Sequence, residues 1–85
     1  CSPTRASILT GKYPQRVGIT DFISPQGGNQ PEKWKRKTRM LPAPYRDHLA
    51  LEEITIAEKL KAAGYVTFFA GKWHLGNQGF WPEDQ

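Results

Sequence analysis

The chain has 85 residues, enough for at most one small domain, and small domains bury only a limited share of their surface. Hydrophobic residues make up 38%, with eight Gly and seven Pro, a mixture that suits a loop-rich piece of a globular protein better than a self-contained core. A net charge of +4 attracts nucleic acid, anionic membranes or anionic substrates without choosing among them, and a single cysteine excludes an internal disulfide framework.

No apolar run approaches the length of a membrane span. The sequence starts at Cys1 with no initiator Met or leader and stops at Pro82-Glu83-Asp84-Gln85. Both ends are expected to continue into a longer chain, with any secretory signal upstream.

In chain order, residues 1–16 read as a helix and its exit. Pro3 fits a first helical turn, Ala6, Ser7, Ile8 and Leu9 continue it, and Gly11 is placed to end it. Such a helix would aim its free N–H groups and positive dipole end at the Cys1 side chain. Residues 17–51 show no sustained period. Pro25, Gly27, Gly28, Pro31, Pro42 and Pro44 punctuate them, and Lys33-Trp34-Lys35-Arg36-Lys37 is strongly charged, so the segment reads as a long surface excursion suited to binding. Residues 52–85 are regular. Thr55-Ile56-Ala57-Glu58 has capping-box spacing, Ile56, Leu60 and Ala63 form an apolar stripe, and Gly64 closes the helix. Tyr65-Val66-Thr67-Phe68-Phe69-Ala70, rich in β-branched and aromatic residues, predicts a buried strand. A helix feeding a strand through a glycine turn places the chain in the α/β class.

Two stretches carry the chemistry. Cys1 precedes a helix and lies near Arg5, an activated setting for a thiol. Lys72 and His74 follow a predicted strand, where open α/β sheets keep their ligands, and strand alternation would point both to one side.

Cys1-Ser2-Pro3-Thr4-Arg5 with Leu9-Thr10-Gly11 resembles the first signature of the type I, formylglycine-dependent sulfatases. Gly64-Tyr65 and Gly71-Lys72-Trp73-His74 resemble the second, in the family's order. The resemblance implies a fragment of an alkaline-phosphatase-like sandwich, a mixed sheet flanked by helices, with residues 1–85 as part of the catalytic domain. It implies a sulfuric ester hydrolase whose motif cysteine is oxidised to formylglycine by a maturation enzyme. The aldehyde hydrates to a gem-diol beside a divalent cation, usually calcium; one hydroxyl attacks sulfur and the other is deprotonated to release sulfate. By position, Cys1 would be nucleophile precursor and, as formylglycine, a metal ligand. Arg5 would hold the hydrated aldehyde, Lys72 would bind a sulfate oxygen, and His74 would bind the gem-diol and act as base in the elimination. Thr4 stands where Ser is frequent in the family, and Ser2 occupies a variable position.

The acidic metal-binding pairs of the family do not occur here, and Asp84-Gln85 reads as a loop. The isolated chain is therefore expected to be inactive, since a hard cation needs about six or more oxygen ligands. The stretches around Gly18-Ile19-Thr20-Asp21 and Leu51 to Glu58 resemble bacterial enzymes acting on polysaccharides or glycosaminoglycans. That likeness implies a sulfated small molecule or glycan as substrate, a periplasmic or secreted location, and neither nucleic acid nor membrane as partner. His48 lacks a motif and reads as structural; Trp73, Phe80 and Trp81 read as packing residues rather than sugar platforms. The basic run from Lys33 to Arg39 is a solvated face or a glycan contact, and Trp34 stacks on a sugar or anchors its loop. Two rival functions remain at this point: a phosphonate or phosphate ester hydrolase of the same superfamily, and a basic, non-catalytic binding module for glycan or nucleic acid.

Overall fold

The structure is a computed structural model that describes residues 1–24, 31–35, 37 and 39–85, with the backbone alone for Trp34. Pro25, Gly27, Gly28 and Arg36 lie outside the described residues. Helix α1 spans Ser2–Thr10, α2 spans Pro14–Val17 and α3 spans Ile56–Ala62, with single 3-10 turns at Pro31–Trp34 and Pro82–Asp84.

The start and stop signals of α1 act as the sequence predicts. Pro3 sits in its first turn, and Gly11 caps its end with an N–H that donates to the Ser7 carbonyl at 2.8 Å. The α3 cap is equally legible. Thr55 Oγ1 accepts from the Glu58 N–H, and the Glu58 carboxylate accepts from the Thr55 N–H at 2.6 Å. At the other end Gly64 takes a left-handed φ of 91°. Its N–H donates to the Lys61 carbonyl and that of Tyr65 to the Leu60 carbonyl, each at 3.0 Å, so two orphan acceptors are satisfied.

The core holds a correction. Residues 17–51 read as a surface excursion, yet Val17, Ile19, Ile23 and Leu49 from that segment form the core with Ala6 and Leu75, and Leu9 and Trp73 pack against it. The segment has no period because it crosses the core at isolated points instead of lying along it as a helix or strand. Backbone bonds hold those crossings: Arg46 N–H to the Gly18 carbonyl and Leu49 N–H to the Leu75 carbonyl, both 2.8 Å. The buried Tyr45 hydroxyl donates to the Phe22 carbonyl at 2.6 Å.

A second correction concerns the strand. Among the described residues there is no strand ladder, and residues 65–70 are irregular and exposed, with Val66 fully exposed and Phe68 at 93%. A strand exists only through a neighbour's backbone groups, and no described segment supplies them. The apolar stripe of α3 is likewise open, with Ile56, Leu60 and Ala63 all exposed. Between this stripe and Val66, Phe68 and Phe69 runs a groove of about 740 Å³. The molecule is elongated, 49 × 23 × 20 Å, with a radius of gyration of 14.1 Å; a compact chain of this length would have about 12 Å. Asp84, expected in a loop, belongs to the 3-10 turn, where its carboxylate accepts from the Trp81 N–H at 2.6 Å.

Two glycines allow a graded test. At Gly76, with φ +145°, an added Cβ would lie 2.5 Å from Phe80 Cβ and 3.0 Å from the Phe80 carbonyl oxygen. At Gly64 it would meet nothing within 4 Å. Gly64→Ala should cost about 1–2 kcal/mol of stability from backbone conformation alone. Gly76→Ala adds overpacking and should cost about 2–5 kcal/mol. Denaturant midpoints check the order, and an equal or reversed pair would contradict this packing.

Candidate active site

Cys1 occupies the N-cap of α1, but its side chain makes no capping bond. Its carbonyl takes the Arg5 N–H at 3.0 Å. The expectation that helix N–H groups address the thiol is thus corrected: Pro3 has no N–H to offer a cap side chain, and the Cys1 thiol makes no bond to the others of the first turn. The exposed thiol is met instead by two side chains from the far end of the sequence. Lys72 Nζ donates to Cys1 Sγ at 3.1 Å, and His74 Nδ1 lies 3.1 Å from the same sulfur.

No continuing strand delivers them. The chain bends through Gly71 and then through His74 itself, whose φ of 56° is left-handed and uncommon for a residue with a side chain. Anchors flank the bend. Trp73 packs on the core, donates its indole N–H to the Phe80 carbonyl at 2.7 Å, and meets Phe69 edge-on at 5.7 Å between ring centroids. Leu75 is fully buried and takes the Leu49 N–H. Lys72 and His74 do share a side, as the sequence suggests, although by this route rather than by strand alternation.

The protonation pattern of His74 follows from its neighbours. Its Nε2 lies 2.8 Å from the Ile23 carbonyl oxygen, which can only accept, so Nε2 carries a hydrogen. In the neutral ring Nδ1 is then a bare acceptor facing Cys1 Sγ. A thiol at residue 1 can donate to Nδ1 while accepting from Lys72.

Arg5 is half-buried, and its Nε is buried with no hydrogen-bond partner among the described residues. An orphaned donor of this kind costs roughly 1–3 kcal/mol, a cost that an acceptor would remove. Sequence reasoning missed Ile23, which acts through its backbone, and Ser2, which is fully buried and accepts the Ile23 N–H at 3.1 Å. No motif could disclose either. His48 bonds Asp47 at 2.9 Å and stacks on Phe80 with centroids 3.9 Å apart. Trp81 is exposed. Lys33, Lys35, Lys37 and Arg39 are exposed.

Metal binding does not fit these residues alone. Among the described residues no group of three or more His, Cys, Asp or Glu comes together, and Cys1 is met there by an ammonium and an imidazole, with no carboxylate bonded to it. A hard cation would need about six or more oxygens from elsewhere. Among the described residues no helix is long and apolar enough to cross a membrane.

Comparison with known proteins gives the family. Residues 1–83 match the Sulfatase family, and the chain belongs to it. It is 41% identical over 76 residues to arylsulfatase A of Homo sapiens, covering 89% of this chain and 12% of that protein. Over 81 residues it is 41% identical to arylsulfatase G of Rattus norvegicus, covering 93% of this chain and 12% of the relative. Over 76 residues it is 38% identical to steryl-sulfatase of Homo sapiens, covering 89% and 11%. The chain thus spans about 12% of the length of the curated relatives it matches.

Trp73 holds the bend that carries both partners of Cys1. Trp73→Phe keeps the ring but leaves the Phe80 carbonyl unpaired and should cost about 1–3 kcal/mol. Trp73→Ala should cost about 3–5 kcal/mol. Thermal or denaturant unfolding checks both, and a neutral Trp73→Ala would show that the anchor is not structural.

Proposed function

We propose that the protein hydrolyses a sulfate ester, with residue 1 as nucleophile after oxidation of Cys1 to formylglycine. The observation that carries this reading is the meeting of Lys72 Nζ and His74 Nδ1 at Cys1 Sγ, each at 3.1 Å. A hydrated aldehyde at this position supplies two hydroxyls on one carbon, one to attack sulfur and one whose deprotonation releases sulfate. The chain's own residues suit that demand. Lys72 is an exposed cation beside the reacting position, where it offsets charge growing on sulfate oxygens as the ester bond breaks. His74 presents an unprotonated Nδ1 toward residue 1 and takes a proton there. The unpartnered Nε of Arg5 supports its reading as a donor to the hydrated aldehyde.

The divalent cation usual in the family, calcium, belongs to this reading only with ligands from outside the described residues. Formylglycine would be this chain's contribution to it. Residues 1–85 are then part of a larger catalytic domain, in which residues 65–70 complete a strand of a mixed sheet. A sulfated glycan is the substrate class we favour, because Lys33, Lys35, Lys37 and Arg39 expose a basic surface suited to a polyanion. A formylglycine-generating maturation enzyme is the implied partner, and export to the periplasm or outside the cell is the implied location. The phosphonate hydrolase and the non-catalytic binding module gain no support from the matched relatives, whose names are those of sulfatases.

Expressed at full length in a competent host, the protein should carry formylglycine or its hydrate at position 1. Mass spectrometry of the peptide spanning Cys1 to Arg5 reads this directly, and Pro3→Ala should reduce conversion. Fully active enzyme with an intact thiol would overturn the mechanism.

Lys72 and His74 should separate kinetically. Lys72→Ala should lower kcat/KM on the order of hundreds-fold, the scale of losing one electrostatic donor. His74→Ala should release alcohol in a first-turnover burst and then slow, with sulfate retained on the protein. Rapid mixing with a chromogenic sulfate and intact mass measurement check this. A first turnover slowed as much as later ones, with no retained sulfate, would assign His74 another role.

A further inference from the structure

The hydrogen bond from the His74 ring to the chain's interior goes to one backbone residue, and that residue is held by a side chain next to the nucleophile. Ile23 is buried, and both of its main-chain polar groups face this site. Its carbonyl accepts His74 Nε2–H at 2.8 Å, and its N–H donates to Ser2 Oγ at 3.1 Å. Ser2 is fully buried and is the first residue of α1, joined directly to Cys1. His74 Nδ1 then closes on Cys1 Sγ at 3.1 Å. Cys1, Ser2, Ile23 and His74 therefore form a closed ring of one covalent link and three polar contacts.

We infer that Ser2 is a positioning residue that sets the orientation and tautomer of His74 through the backbone of Ile23. The inference rests on the reading of His74 as the group that takes a proton at residue 1. Its physical basis is the cost of an unpaired buried N–H. Without the Ser2 hydroxyl, the Ile23 N–H loses its acceptor at roughly 1–3 kcal/mol, and the chain at Ile23 shifts to recover one. The carbonyl on the same residue moves with it. His74 Nε2–H then loses its fixed partner, and the imidazole is free to rotate or to carry its hydrogen on Nδ1, where it can no longer accept from residue 1. The hydroxyl at position 2 thus gives the base the same frame of reference as the nucleophile, since both are measured from the first turn of α1.

The test is a double-mutant cycle in the full-length protein, with rates expressed per formylglycine found by mass spectrometry. Ser2→Ala should lower kcat about tenfold with KM within about twofold. In a His74→Ala background the same change should alter kcat by less than about twofold, because a residue acting through His74 has nothing left to act on. A second cycle needs no turnover. In protein made without the maturation enzyme, the rate of Cys1 alkylation by iodoacetamide should fall several-fold with Ser2→Ala and be insensitive to it once His74 is removed. If Ser2→Ala does not fold, Ser2→Gly removes the same hydroxyl and enters the same cycles. Equal Ser2 effects with and without His74 would overturn the inference. Absence of sulfate-ester hydrolysis by the parent protein would instead overturn the proposed function, and the alkylation cycle would still decide the role of Ser2.

Discussion

The site depends on the docking of residues 71–75 against the first turn of α1. Leu75 is the fixed point: it is fully buried, and its carbonyl takes the Leu49 N–H at 2.8 Å. Trp73 adds a second anchor through its indole N–H and its packing on the core. With alternate residues held inward, Lys72 and His74 are left on the side that faces Cys1. The constraint is one of backbone path, since His74 adopts a left-handed φ to meet it. Non-glycine residues in that region cost of order 1–3 kcal/mol and persist only where the surroundings over-determine them. Here the surroundings are two anchors and the Ile23 carbonyl.

Around that junction the polar groups are complementary in kind. Residue 1 meets a cation that donates and an imidazole nitrogen that accepts, at equal distances of 3.1 Å. A pair of this type can hold an anionic group and remove a proton from the same small volume, which neither side chain does alone. Arg5 adds a buried donor with no partner among the described residues. No carboxylate is bonded to the thiol, and no metal-binding cluster forms among those residues. Under the proposed function the chain contributes the nucleophile and acid–base groups, and any metal ligands come from outside the described residues; the chain spans about 12% of the length of its relatives.

The remainder of the molecule shows what such a piece leaves open. The α3 helix is well capped at both ends, yet none of its residues is buried. Capping satisfies local hydrogen bonds and needs no tertiary partner, whereas an apolar stripe is satisfied only by a surface laid against it. Val66, Phe68 and Phe69 face the same deficit across the groove. The open apolar faces of this segment are what the proposed function assigns to a sheet that these residues would join rather than build.

Local features were legible in the residues themselves. Pro3 and Gly11 bound α1, Thr55 and Glu58 start α3, and Gly64 ends it, because each acts on backbone groups within a few positions of itself. The two signatures likewise named Cys1, Lys72 and His74, which the structure brings together at 3.1 Å. The rest was decided in three dimensions. Val17, Ile19, Ile23 and Leu49 enter the core from a segment without periodicity, and hydrophobic pattern registers only residues that line a regular element. Residues 65–70 have the composition of a strand but are irregular here, because hydrogen-bond partners are not encoded in composition. Ser2 was indistinguishable from any surface serine, because its place is set by a backbone N–H twenty-one positions along the chain. Residue types and spacings determined which groups the site contains; only tertiary packing decided which atom of His74 faces residue 1, because that choice is made by a main-chain carbonyl that every sequence possesses at every position.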